Sequence, residues 1–177
     1  MKKVLIISST PRFGGNSEVL CQAFEKGALE NKNEVVFIKL REKKIHPCIG
    51  CWHCKNAPCV FDDDMTEIQK HMLESDVIVL GTPVYFYTMC AQLKALIDRT
   101  TPFYEKLQNK EFYYIMTADD EDKNNLQKTV DSLRGWSLDC LEGSKEKGII
   151  FATGITYLGD AKGSKFEKQA YEMGKNV

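Results

Sequence analysis

Four of the seven cysteines stand in one short segment, Cys48-x2-Cys51-x2-Cys54-x4-Cys59. A thiolate is a nucleophile and a soft metal ligand. In a reducing compartment, clustering of this kind points to metal or redox chemistry rather than to structural disulfides. Runs with two-residue gaps can wrap thiolates around a cubane [4Fe–4S] cluster, as ferredoxin-type motifs do. A structural zinc also accepts four thiolates, although zinc sites usually separate two CxxC pairs more widely. His53 could join a zinc set but reads better as a solvated loop residue. Free or redox-active thiols are the third reading, and the spacing alone leaves all three open. Cys21, Cys90 and Cys140 are scattered and read as small buried hydrophobes.

Two further loops carry chemistry. The segment Ser8 to Asn16 follows the apolar run Val4-Leu5-Ile6-Ile7 and precedes an amphipathic stretch that begins at Ser17, a natural N-cap. A strand that runs through a small-residue loop into a helix aims free N–H groups and a positive dipole end at one point, which suits a phosphate. The loop matches neither GxGxxG nor GxxxxGK[ST], which disfavours a Rossmann dinucleotide site and an NTPase site. Hydroxyls and N–H groups of Thr10, Gly14, Gly15, Asn16 and Ser17 can surround a monoester phosphate, with Arg12 offsetting part of its charge. The plain alternative is a strand-to-helix turn capped by Ser17. The second loop, Gly81 to Thr88, offers Tyr85, Phe86 and Tyr87 as stacking faces for a flat heterocycle, with Pro83 stiffening the turn. The alternative there is an aromatic cluster sealing the end of a sheet. Asp62-Asp63-Asp64 could suggest a metal site. A capping box of Asp64 with Glu67 accounts for the acids better. No Ser/His/Asp or Cys/His catalytic set can be assembled.

The elements that must position these loops follow from periodicity. At 177 residues, with 43% hydrophobic and 28% charged residues, the chain suits one domain with one full core. A net charge of −1 argues against a nucleic-acid binder. No apolar run approaches the roughly 20 residues of a membrane span. The N-terminal MKKVLIISS is too short in its apolar part for a signal peptide and reads as a first strand, so a cytoplasmic protein is expected. Helical spacing begins at Ser17. Strands are expected at Val35–Ile38, at Val77–Leu80 with a break at Gly81-Thr82-Pro83, at Phe112–Met116 and at Ile149–Ala152. Helices are expected after Asp64, over Ala91–Asp98, through Leu126, Val130 and Leu133, and from about Ser164 to the end. Strand then helix, five times over, implies an α/β fold with a parallel sheet covered on both faces. In the strand order 2-1-3-4-5 the ligand crevice lies between strands one and three. The two unusual loops follow those two strands.

With STPRFGGNS, PCIGCWHC followed by CVFDDDM, GTPVYFYTMCAQLKALIDR and the closing FATGITYLGDAKG, the chain resembles the NAD(P)H-dependent FMN reductases, including the iron–sulfur flavoproteins, over nearly its whole length. The resemblance implies a single flavodoxin-like FMN-binding domain over 1–177, a three-layer α/β/α sandwich on a five-stranded parallel sheet, with a cysteine-rich loop at 46–61. It implies FMN held through its phosphate by Thr10, Arg12, Asn16 and Ser17. The isoalloxazine ring is then held by Pro83, Val84, Tyr85 and Phe86, and the loop beginning at Thr117 closes the far side. NAD(P)H is the implied electron donor, and a quinone, a flavin or another small molecule the acceptor. The flavin does the chemistry, so no catalytic side chain is expected. The cysteine spacing is similar to the compact motif of the iron–sulfur flavoproteins. On that reading Cys48, Cys51, Cys54 and Cys59 hold a [4Fe–4S] cluster and the protein is an electron carrier for a ferredoxin-like partner. The resemblance also implies a homodimer or homotetramer. One loop departs from the family's glycine-rich pattern: Thr117-Ala118-Asp119-Asp120-Glu121-Asp122. Its acids either repel a phosphorylated nicotinamide or cap the next helix and face water.

Overall fold

The computed structural model describes residues 1–177. In chain order the elements are β1 (Lys3–Ser8), α1 (Asn16–Glu30), β2 (Glu34–Lys39), α2 (Met65–Glu74), β3 (Val77–Tyr85), β4 (Thr88–Met89), α3 (Ala91–Asp98), β5 (Glu111–Thr117), α4 (Gln127–Ser137), β6 (Lys145–Ala152) and α5 (Lys165–Lys175). Five strands pair in parallel in the order β2-β1-β3-β5-β6. The two-residue β4 adds a sixth strand, antiparallel to the end of β3. Counted on the parallel strands alone, the order is the 2-1-3-4-5 predicted from sequence, and the fold is flavodoxin-like.

The central strands β1, β3 and β5 are buried on both faces, so successive residues serve different cores. Leu5, Ile7, Ile78, Leu80, Phe112 and Tyr114 face Ile68 and Met72 of α2, Leu93 and Leu96 of α3, and Val130 and Leu133 of α4. Val4, Ile6, Val77, Val79, Tyr113 and Ile115 face Leu20, Phe24 and Ala28 of α1 and Ala170 of α5. Each such fully buried aliphatic side chain stabilises the fold by about 1.5–3 kcal/mol. Helices α1 and α5 approach closely at two glycines. A Cβ on Gly27 would lie 2.1 Å from the Tyr171 carbonyl oxygen, and one on Gly174 2.0 Å from that of Phe24.

Several local expectations are corrected. Strand β3 does not break at Gly81 but continues through Thr82 and Pro83 to Tyr85. Its pairing with β1 ends at Gly81, so Pro83 has a strand on one side only, where a missing N–H is tolerated. Helix α1 begins at Asn16 with Gly15 as its N-cap, so Ser17 is the second helical residue and caps nothing. Asp64 forms no capping box. Its carboxylate accepts the Lys44 N–H at 2.6 Å, while Glu67 pairs with Lys43 at 2.5 Å. Asp63 instead accepts the Met65 N–H at 3.1 Å. Cys21 and Cys90 are buried as expected, but Cys140 is exposed and donates to the Gly135 carbonyl. No helix is long and apolar enough to cross a membrane.

Candidate functional site

The carboxyl end of β1 and the start of α1 form a concave, donor-rich loop. The N–H groups of Asn16, Ser17 and Glu18, the first three residues of α1, have no acceptor in the protein. The hydroxyls of Ser8 and Ser17 are buried and also lack a partner. The first N–H groups of any helix lack partners within it, and with the two buried hydroxyls they leave this loop rich in donors that an acceptor-bearing group can bond. Thr10 packs against Gly15 so closely that a Cβ there would lie 2.4 Å from its hydroxyl oxygen. The Thr10 hydroxyl accepts the Arg12 N–H at 3.3 Å. Arg12 is exposed and its guanidinium makes no bond to the protein. Asn16 is placed differently from its neighbours. Its amide donates to the Tyr157 carbonyl at 2.8 Å and accepts the Gly159 and Ala161 N–H groups at 3.2 Å each. Its side chain therefore ties the loop after β6 to the head of α1, leaving its backbone N–H free.

Glu18 is a site residue that sequence reading missed. It is buried, accepts the Gly14 N–H at 3.2 Å, and is clasped by Arg41 at 2.5 and 3.1 Å and by Lys39 at 3.4 Å. Burial pushes its pKa up, but the bonds from Arg41 and Lys39 prevail and hold it below the usual carboxylate range. Its effect is to fix the backbone of Gly14, which has a φ of 63°. The only sequence signal was an acid in a helix's first turn, which ordinarily faces water.

Across the crevice, Tyr85 and Thr88 close a two-residue hairpin whose tip is Phe86-Tyr87. Both tip residues have positive φ, 48° and 65°, which bulky side chains rarely adopt. Phe86 is 99% exposed, and Tyr85 and Tyr87 are about half exposed. The hairpin is anchored by Thr129, which donates to the Tyr87 carbonyl at 3.1 Å, and by Lys128 over the Tyr87 ring at 4.9 Å. Thr117 is buried at the end of β5, in register with Pro83. In the acidic loop, Asp122 accepts the Asn124 N–H and Asp120 accepts the Asn125 amide, each within 2.9 Å. Asp119 accepts the Thr156 hydroxyl. Three of the four acids thus hold the loop's shape, and Glu121 alone is left to face solvent unbonded.

The four clustered cysteines are brought together. Cys48, Cys51, Cys54 and Cys59 all line one apolar cavity of about 120 Å³, with Ile49, Phe61 and Arg99 in its walls. No three His, Cys, Asp or Glu side chains are grouped closely enough in the structure to hold a single metal ion. Gly50 and Trp52 take positive φ, 64° and 58°, which turns the chain tightly enough for the loop to curl back on itself. His53 begins a single turn of 3-10 helix beside the cavity and is exposed.

Residues 2–137 match the family model described as NADPH-dependent FMN reductase. An iron–sulfur flavoprotein of Methanosarcina thermophila is 33% identical over 138 residues, 76% of this chain and 72% of that protein. An iron–sulfur flavoprotein of Methanocaldococcus jannaschii is 46% identical over 101 residues, 56% of this chain and 52% of that protein. The chain spans about half the length of several curated relatives it matches. Among solved structures, the NAD(P)H:quinone oxidoreductase from Methanothermobacter marburgensis superimposes with a TM-score of 0.76 at 17% identity, over 99% of this chain and 95% of that one. At that identity the likeness concerns the fold. The family match covers well over half of the sequence, and the chain belongs to the NADPH-dependent FMN reductase family.

Proposed function

We propose that this chain binds FMN at the crevice between β1 and β3. There it acts as an NAD(P)H-dependent oxidoreductase that passes electrons to a quinone, a flavin or another small acceptor. The observation that carries this reading is the set of unpaired donors at the head of α1, the Ser8 and Ser17 hydroxyls and three N–H groups, facing an aromatic hairpin at the switch point. The donors suit the flavin's phosphate: Thr10 and Ser17 supply hydroxyls, Asn16 its N–H, and Arg12 a free positive charge. Glu18 does not oppose the phosphate, because Arg41 and Lys39 neutralise it. Pro83, Val84, Tyr85 and Phe86 flank the ring, and Thr117 closes its far side. When bound, FMN supplies hydride and electron transfer. The protein holds the ring, excludes water from one face and leaves the other open. The tethering of Asp119, Asp120 and Asp122 leaves Glu121 as the one free acid near the nicotinamide approach. A homodimer or homotetramer in the cytoplasm completes this reading.

A second reading is an electron carrier with FMN and a [4Fe–4S] cluster, serving a ferredoxin-like protein. It is favoured by one observation: all four clustered cysteines line the same cavity. The two-residue gaps of Cys48-x2-Cys51-x2-Cys54 suit a cubane, whereas zinc sites usually separate two CxxC pairs more widely. Protein purified anaerobically should show the visible bands of bound flavin. Iron and sulfide in equal amounts, with a broad added absorbance, support the second reading, and flavin alone with NAD(P)H-dependent quinone reduction supports the first. A colourless protein that fails to take up added FMN refutes both.

A further inference from the structure

The two ends of the cysteine loop meet on one buried ion pair. The Asp63 side chain is fully buried and that of Arg99, at the end of α3, is 3% exposed. Arg99 grips Asp63 with two parallel bonds of 2.8 and 3.0 Å and donates a third, of 2.8 Å, to the His46 carbonyl. Asp63 accepts the His46 N–H at 3.0 Å. Residues 46 and 63 are thus fastened to each other and to α3 by one guanidinium. The ring of Phe61 lies 5.1 Å from that guanidinium and stacks on His46 at 4.8 Å. Burial makes Asp63 harder to ionise, but its bonds from Arg99, His46 and Met65 hold it well below the usual carboxylate range. One edge of Arg99 is not used: its Nε–H is buried and has no acceptor. Cys59 and Arg99 both line the cysteine cavity.

We propose that Arg99 is a positioning residue for the cysteine site, clamping the 46–63 loop shut through Asp63 and His46 while its unpaired Nε–H serves the sulfur of Cys59. The inference rests on the reading of the four cysteines as a cluster site. It adds to that reading which group gathers them and which cation faces them. A bidentate fork is what fixes the loop; lysine keeps the charge but not the fork. Removing one member of a buried ion pair leaves the other uncompensated, so the loop should open readily without Arg99. A cation held beside a ligating sulfur also favours the more negative, reduced state of whatever the sulfur binds.

The test uses the full-length protein and two variants, Arg99→Lys and Arg99→Gln. Trypsin cleavage after Lys55, exposed within the loop, should accelerate by roughly tenfold or more in Arg99→Gln, and less in Arg99→Lys. Cleavage after Lys32, in the distant turn between α1 and β2, should keep its wild-type rate, as should flavin retention. In protein loaded anaerobically with iron and sulfide, the reduction potential should shift negative in Arg99→Gln, and Arg99→Lys should restore most of the shift. Wild-type cleavage after Lys55 in both variants overturns the clamp, as does equal acceleration at Lys32. An unchanged potential in Arg99→Gln overturns the contact with Cys59. If wild-type protein takes up no iron, the cluster reading falls, and the proteolysis comparison alone still decides the clamp.

Discussion

Replacing Ser17 with alanine should stabilise the flavin-free protein and weaken FMN binding. Ser17 is 1% exposed, and its buried hydroxyl has no partner within the protein. A buried, unsatisfied hydroxyl costs about 1–3 kcal/mol, and alanine also favours a helix over serine by about 0.5 kcal/mol. The stripped protein should therefore gain about 1–3 kcal/mol. For a chain of 177 residues each kcal/mol raises Tm by about 2–4 °C, so the melt should move up by several degrees. With FMN bound the sign reverses. A hydrogen bond to a charged group contributes about 1.5–3 kcal/mol, so affinity should fall by about 10- to 100-fold. Thermal melts of flavin-stripped protein and FMN titrations followed by flavin fluorescence measure the two effects. Riboflavin, which lacks the phosphate, should bind wild type and variant alike. A lower Tm with unchanged FMN affinity would refute the reasoning, because it would mean that the hydroxyl serves the helix and not a ligand.

Three other perturbations probe the frame around the site. Gly174→Ala should lower stability by about 3 kcal/mol or more in urea unfolding, since its Cβ would meet the Phe24 carbonyl oxygen at 2.0 Å and force α1 and α5 apart. Phe86→Asn should raise stability by about 1 kcal/mol, because asparagine accepts the φ of 48° at a two-residue hairpin tip and almost no burial is lost. The same variant should bind FMN more weakly, and unchanged affinity would remove the aromatic tip from the ring site. Asp63 and Glu18 both have folded-state pKa values below their unfolded ones. Their contribution is therefore complete above about pH 4 and is lost as the pH falls through the depressed folded values. Urea midpoints measured downward from neutral pH should drop steeply below about pH 4, and Asp63→Asn should flatten that drop.

What could be read from the sequence and what could not divide along a physical line. The apolar runs Val4–Ile7 and Val77–Leu80 and the spacing over Ala91–Asp98 specify their elements because periodicity and burial are local properties of the chain. The crevice was legible for the same reason: strand order follows from alternation, and the two odd loops follow the two strands that flank it. The clamp was not legible. Asp63 and Arg99 are separated by 36 positions, and each alone has a bland local reading, as a helix-flanking acid and as a charge ending an amphipathic helix. Only the fold joins them. Ser17 failed in a different and more informative way. Serine is a good cap, and local rules put it there. The chain instead caps α1 two residues earlier, on Gly15, whose lack of a side chain lets Thr10 close in, and Ser17 is withheld from the bond it would ordinarily make. Local preference is overruled at the same turn where hydroxyls and N–H groups stand unpaired. A fold selected for stability alone would satisfy those groups itself, so their being left open is best explained by a ligand that completes them.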